Sequence, residues 1–216
     1  MNYAFIFDMD GVLIDSNPFH KIALQQFCKQ HGHDLNEAQL REKIYGRTNK
    51  DWLRNLFGDI DKSLLLHYAD EKEALFRALY IKDVHALEGL IPFLSMLKEQ
   101  EIPRAIATSA PRANVDFTLH YANMEGFFDT ILDESFVNKG KPDPEIYLKT
   151  ALAIGFDPAN CIVFEDSLSG IESGKAAGCK VVGITTTHTR EELRKTDFIM
   201  DNFNYITPQS LISRLF

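Results

Sequence analysis

The sequence predicts an α/β fold: a parallel sheet flanked by helices, with an all-helical insert after the first strand. Three observations carry this. Tyr3 to Phe7 is a short apolar run that stops at an acid, Asp8, as a buried strand does when it feeds a loop. From about Asn17 to Tyr80, apolar residues recur at helical spacing with no strand pattern between them. Beyond about Leu87, helix and strand patterns alternate, which is the signature of a parallel sheet covered on both faces.

The elements follow in order. Within the insert, helices are predicted over His20 to Gln30, Glu37 to Ile44, Asp51 to Phe57 and Leu64 to Tyr80. After it come a helix over Pro92 to Lys98 and a strand at Ala105 to Ala107. A helix over Asn114 to Tyr121 and a strand at Thr130 to Leu132 follow. Then come a helix over Glu145 to Ile154, a strand at Cys161 to Phe164, a helix over Leu168 to Ala177 and a strand at Lys180 to Ile184. In such sheets ligands sit at the carboxyl ends of the strands. The segments to inspect are therefore Asp8 to Gly11, Thr108 to Pro111, and Glu165 to Ser167.

Composition narrows the classes of partner. The 216 residues carry 31 acids against 23 Lys and Arg, a net charge of -8. That sign repels nucleic acid and anionic lipid, so neither is expected as a general partner. Any site for an anion must then be built locally, from a metal, Lys or backbone N–H groups. Cys28, Cys161 and Cys179 form no Cys-x-x-Cys pair and read as small buried hydrophobes of a reducing compartment. With no leader pattern and no long apolar run, a soluble cytoplasmic protein is expected.

Four segments carry candidate chemistry. Asp8-Met9-Asp10-Gly11 sets two carboxylates two residues apart on a tight turn, able to serve as nucleophile and proton donor, or simply to cap a turn. Glu165 and Asp166 are adjacent acids. Beside Asp8, each like pair at ~4 Å would repel by about 4 kcal/mol at an effective dielectric near 20. Such a cluster calls for a cation, and hard oxygen donors without His or Cys favour magnesium over zinc. Asp166 or Ser167 could equally cap a helix. Thr108-Ser109-Ala110-Pro111 offers a hydroxyl and N–H groups where a helix opens, an anion site or an ordinary cap. In Lys141-Pro142-Asp143-Pro144, Pro144 suits the first helical position with Asp143 as cap, and Lys141 is held on a stiff loop.

In this order, and at these strand ends, the segments resemble the haloacid dehalogenase superfamily, within it the β-phosphoglucomutase-like phosphatases with a helical cap. Asp8-Met-Asp-Gly-Val-Leu13 resembles the first motif, Thr108 the second, Lys141 in Lys-Pro-Asp-Pro the third, and Glu165-Asp166 the fourth. The resemblance runs over essentially the whole chain. It implies a Rossmann-like core from residues 1–15 and 86–216 and a cap domain from residues 16–85. It also implies a phosphatase acting on small phosphomonoesters such as sugar phosphates, or on pyrophosphate, through an aspartyl-phosphate on Asp8. Asp10 is then the general acid and base. Mg2+ is held by Asp8, the Asp10 carbonyl and Asp166, with Glu165 supporting it from behind. Thr108, Lys141 and the N–H groups of Met9, Asp10 and Ser109 hold the phosphoryl oxygens.

Asp10 separates this reading from true dehalogenases, which lack an acid at that place because halide needs no proton. The alternatives are a β-phosphoglucomutase-type sugar phosphomutase and a non-catalytic protein that binds a phosphometabolite. The family's cap places His20, Gly46-Arg47-Thr48 and Lys72 toward the substrate. Its mutases carry Arg where this chain has Asn49, which weakens the mutase reading and leaves Arg47 as a source of positive charge. His20 and Lys72 could also be surface helix residues. A monomer suffices for a site closed by its own cap. Gly170-Ile-Glu-Ser-Gly174-Lys175 is one residue short of a P-loop and ends in Ala176, so packing is expected there. His31-Gly-His33 is expected at a helix end and not as a zinc site, and Phe127-Phe128 as packing.

Overall fold

The structure, a computed structural model, describes residues 3–44 and 49–216. Strand β1 (Ala4–Phe7) is followed by four helices, α1 (Asn17–Gln30), α2 (Glu37–Lys43), α3 (Asn49–Phe57) and α4 (Lys62–Tyr80). Then come α5 (Leu90–Glu99), β2 (Arg104–Ala107), α6 (Arg112–Tyr121), β3 (Thr130–Leu132) and α7 (Glu145–Ala153). The chain continues through β4 (Cys161–Glu165), α8 (Leu168–Ala176), β5 (Lys180–Ile184), β6 (Phe198–Met200) and α9 (Pro208–Leu215). Short 3-10 turns precede α7 and β4, at Glu134–Phe136 and Pro158–Asn160. The chain divides into two compact units, Met1–Asp15 with Val84–Phe216, and Ser16–Asp83.

In the first unit the six strands form one sheet in the order β3-β2-β1-β4-β5-β6, every neighbouring pair parallel. The central strand is apolar throughout because both of its faces are covered. Side chains alternate along it. Ala4 and Ile6 join Tyr147 and Ala151 of α7 and Ile171 of α8 in one core. Phe5 and Phe7 turn to the opposite face. There Phe7 stacks on Phe164 with ring centroids 4.7 Å apart, and Phe93 of α5 and Phe203 close the aromatic cluster. Helix α5 buries Leu90, Phe93, Leu94 and Leu97, one face at helical spacing.

The second unit is helical, as its 3.6-residue periodicity predicts. Its core gathers Leu24, Phe27 and Cys28 from α1 with Leu40, Ile44, Trp52 and Leu53. Helix α4 also turns two charged residues inward, Lys72 and Glu73.

Two elements escaped the sequence patterns. β6 is only three residues long and follows a polar run, so no alternation marks it. α9 carries a Pro at its start and a Thr207–Ser210 capping box, signals that were present in the sequence. All three cysteines are free and buried. Among the described residues no helix is long and apolar enough to cross a membrane.

Candidate active site

Strand register builds the site. Phe7 of β1 aligns with Phe164 of β4, and the Asp8 N–H donates to the Phe164 carbonyl at 3.0 Å. The next residues on both strands are therefore side by side, Asp8 with Glu165 and Asp166. Gly11, at φ 77°, takes the left-handed conformation that lets the chain turn back at once, and its N–H donates to the Ile14 carbonyl at 2.8 Å. Glu165 is the last residue of β4, where the sequence patterns had placed it just beyond the strand.

Lys141 reaches this point from the loop before α7. Its ammonium donates to Asp8 Oδ1 at 2.8 Å, to Glu165 Oε1 at 2.6 Å and to the Ala107 carbonyl at 3.2 Å. Three donors thus meet three acceptors. The loop is pinned by Glu145, which accepts from the N–H groups of Asn138 and Lys139 and from Lys149. The expected capping of α7 is corrected. Pro144 is the N-cap residue and not the first helical one, while Asp143 Oδ1 accepts from the Glu145 N–H at 3.0 Å.

Glu165 is wholly buried. Besides Lys141, its Oε1 accepts from the Tyr147 hydroxyl at 2.7 Å. Its Oε2 accepts from the N–H groups of Asp166 and Ser167 and from the Ser167 hydroxyl, all between 3.0 and 3.1 Å. Such saturation offsets the cost of a buried carboxylate and fixes it in place. Ser167, not Asp166, caps α8, by accepting from the Gly170 N–H. A Cβ on Gly170 would lie 1.7 Å from Glu165 Oε1, so only glycine fits there. Gly170 and Gly174 belong to α8 and packing, as expected of this near P-loop.

Thr108 follows β2 directly. It is buried and accepts from the Ala110 N–H at 3.1 Å. α6 begins only at Arg112, so the Thr108–Ser109 segment does not open a helix as the sequence suggested. Ser109 is exposed, Met9 is buried and Asp10 is half-buried.

The electrostatics show why these acids need company. Burial pushes the Asp8 carboxyl up to about 7, against the pull of Lys141 and with further upward push from Glu165 and Asp10. Burial, then Glu165 and Asp8, also raise Asp166 well above the usual carboxylate range. Burial alone would depress Lys141, but Asp8 and Glu165 outweigh it and raise the ammonium's pKa. Oxygen atoms of Asp8, Glu165 and Asp166 lie within 4.8 Å of one another. With Glu165 saturated by donors, Asp8 and Asp166 are the side chains left to meet a cation. Their hard oxygens and surplus charge fit a metal ion.

Three contributors were missed. Thr187 donates to Asp166 Oδ2 and Thr186 to the Gly11 carbonyl at 2.5 Å. Both stand in a Thr-Thr-Thr run just after β5, a strand end that the same rule would have flagged. Tyr147 lies inside a helix among apolar neighbours, and only its hydroxyl distinguishes it from packing.

The residues expected in the cap belong to the second unit. There His20 stacks on Phe76 with centroids 3.7 Å apart, and its Nδ1 lies 3.3 Å from Lys72 Nζ. Lys72 is buried and paired with Glu73 at 2.6 Å, so it is no solvated surface residue. Asn49 donates to Glu73 at 3.4 Å and accepts from the Trp52 indole at 2.9 Å. Gly46, Arg47 and Thr48 lie outside the described residues. His31 ends α1 and pairs with Glu71 at 3.1 Å. Phe127 and Phe128 are half-buried, and Phe128 packs edge-on against Phe7.

Fold and site together define an α/β enzyme that gathers carboxylates and one lysine at the carboxyl edge of a parallel sheet. Residues 5–184 match the haloacid dehalogenase-like hydrolases, and the chain belongs to that family. It is similar to validoxylamine A 7'-phosphate phosphatase of Streptomyces hygroscopicus subsp. limoneus, 31% identical, covering 93% of this chain and 94% of that one. It also resembles a phosphorylated carbohydrates phosphatase of Thermotoga maritima, 33% identical over 81% of each chain. Among solved structures, a family IA, variant 3 hydrolase from Entamoeba histolytica superposes with TM-score 0.90, 34% identical over 99% of both chains. The chain is thus an enzyme of the phosphoric monoester hydrolase class.

Proposed function

We propose that this enzyme hydrolyses small phosphomonoesters of the sugar phosphate kind, in two displacements through an aspartyl-phosphate on Asp8. The observation that carries the reading is the Lys141 ammonium set 2.8 Å from Asp8 Oδ1 at the end of the central strand. A nucleophilic carboxylate and a fixed cation at one point serve phosphoryl transfer, where most of the catalysis is positioning and charge stabilisation. The named relatives that act on phosphorylated carbohydrates support the substrate class.

In the first step an Asp8 carboxylate oxygen bonds to phosphorus while the bond from phosphorus to the leaving oxygen breaks. Asp10 gives that oxygen its proton. In the second step Asp10 takes a proton from water as the water oxygen bonds to phosphorus and the bond to Asp8 breaks, releasing phosphate. Lys141, Thr108 and the N–H groups of Met9, Asp10 and Ser109 hold the phosphoryl oxygens. Mg2+, bound by Asp8, the Asp10 carbonyl and Asp166, would supply the positive charge that lets two anions meet. Glu165 holds Lys141 and the loop behind them.

Asn49 supports hydrolysis over mutase chemistry, because the residue standing at the mutase arginine is neutral and tied to Glu73 and Trp52. The test is phosphate release from an aryl phosphate with and without magnesium, followed by a panel of sugar phosphates and pyrophosphate. Metal-dependent release is expected. Isomerised sugar phosphate without free phosphate would show a mutase instead.

A further inference from the structure

Lys141 and Glu165 share a third neighbour that the reaction scheme leaves unused. Tyr147 is fully buried on α7, six residues after Lys141 in the sequence. Its hydroxyl donates to Glu165 Oε1 at 2.7 Å, the same oxygen that accepts from Lys141 at 2.6 Å. Its ring lies beneath the ammonium, with Nζ 4.9 Å from the ring centroid. Ammonium, carboxylate oxygen and phenol therefore form a closed triangle, and the same ammonium donates to Asp8 Oδ1 at 2.8 Å.

We infer that Tyr147 is a positioning residue for the reaction proposed above, fixing Lys141 and Glu165 so that the ammonium is presented to Asp8 and the phosphoryl group. The inference rests on that reading of the site. Its physical content is a division of labour at one oxygen. With the phenol in place, Oε1 divides its accepting capacity between two donors, and Lys141 is free to hold Asp8 as well. Without the phenol, Oε1 has Lys141 as its remaining donor among these two. The ammonium is drawn toward Glu165 and away from Asp8. An ordinary core tyrosine would stabilise the fold without bearing on where the ammonium lies.

The experiment compares wild type, Tyr147→Phe, Glu165→Gln and the double variant, all with magnesium. It measures orthovanadate binding by calorimetry, kcat and KM on an aryl phosphate, and thermal midpoints. Tyr147→Phe keeps the ring and removes one oxygen. It is expected to lower kcat and weaken vanadate by about ten-fold to a hundred-fold, with KM within about two-fold. Because the tyrosine acts through Glu165, the double variant should lose little more than the single ones. Vanadate affinity and kcat within about two-fold of wild type in Tyr147→Phe would overturn the inference, whatever the thermal midpoint does. If Tyr147→Phe does not fold, a fluorotyrosine placed at position 147 decides, because it keeps the shape and changes the acidity of the phenol that Glu165 Oε1 accepts from: vanadate affinity and kcat within about two-fold of wild type overturn the inference, and a larger change in both supports it. A wild type that neither releases phosphate nor binds vanadate overturns the proposed function itself, and with it this inference.

Discussion

Lys141 and Lys72 are buried alike, each side chain 6% exposed, and each has a glutamate oxygen at 2.6 Å. Their settings differ in origin. Lys72 pairs with its sequence neighbour Glu73 inside a helix. Lys141 meets Asp8, just after β1, and Glu165, at the end of β4, while Asp166 and Asp10 add further negative charge to the same point. A pair of opposite charges that are neighbours on one helix can serve packing alone. An unbalanced cluster that raises its own carboxylates costs stability, and it persists where reaction or ligand makes use of it.

That contrast can be broken most sharply at Asp8. Asp8→Asn removes the proposed nucleophile and one surplus charge, so turnover should fall by about 10^4-fold or more while the fold is kept. Activity within about tenfold of wild type would rule out covalent catalysis there. Asp10→Asn should slow both formation and breakdown of the phosphorylated enzyme, by roughly 10^2-fold to 10^4-fold in rapid-mixing kinetics. A change confined to substrate affinity would reject its role in proton transfer.

Removing divalent metal with a chelator should lower turnover by about 10^2-fold or more, with magnesium restoring it. Metal-free protein should also respond to pH. Asp8 titrates near 7 when folded and near 3.8 in its ordinary state. The folded chain therefore binds more protons in that window, and this group's contribution to stability is lost as pH rises through it. The thermal midpoint of metal-free protein should be higher at about pH 6 than at about pH 8, and magnesium should flatten the difference. A metal-free midpoint that rises with pH would contradict the charge argument.

The smallest effect on chemistry is expected in the helical unit. Lys72→Met removes one of the groups that meet the buried Glu73 and should destabilise the unit by about 1–3 kcal/mol, read by denaturant unfolding. Lys72→Met with Glu73→Leu should recover most of that, and kcat on a small aryl phosphate should stay within about tenfold. Loss of kcat without loss of stability would instead give Lys72 the substrate role that the resemblance assigns it.

The parts of the site that were legible in the sequence are those that strand ends expose. Asp8, Thr108 and Asp166 each follow an apolar run, and Lys141 sits in a proline-flanked loop, so pattern and chemistry coincide. Tyr147 was illegible because its helix face is otherwise apolar, and a buried hydroxyl leaves no periodic trace. Thr187 was legible in principle, but only once β5 is counted among the strands whose ends build the site. The capping of α7 went astray because Pro-Asp-Pro fits two registers one residue apart, and side-chain hydrogen bonding decides between them. Lys72 shows the opposite limit. A lysine between two glutamates looks solvated in sequence, yet the helix turns it inward.

The strand order also sets a timetable for synthesis. β1 leaves the ribosome before the other strands, yet its sheet partners are β2 and β4, and Ala4 pairs with Cys161. The helical stretch between Ser16 and Asp83 can gather its own contacts while the ribosome is still working. β1 cannot be enclosed on both sides until β4 emerges. Until then the segment bearing Asp8 is an apolar strand still short of a neighbour, and a chain stopped short of Cys161 carries Asp8 without Glu165 and Asp166 to set beside it.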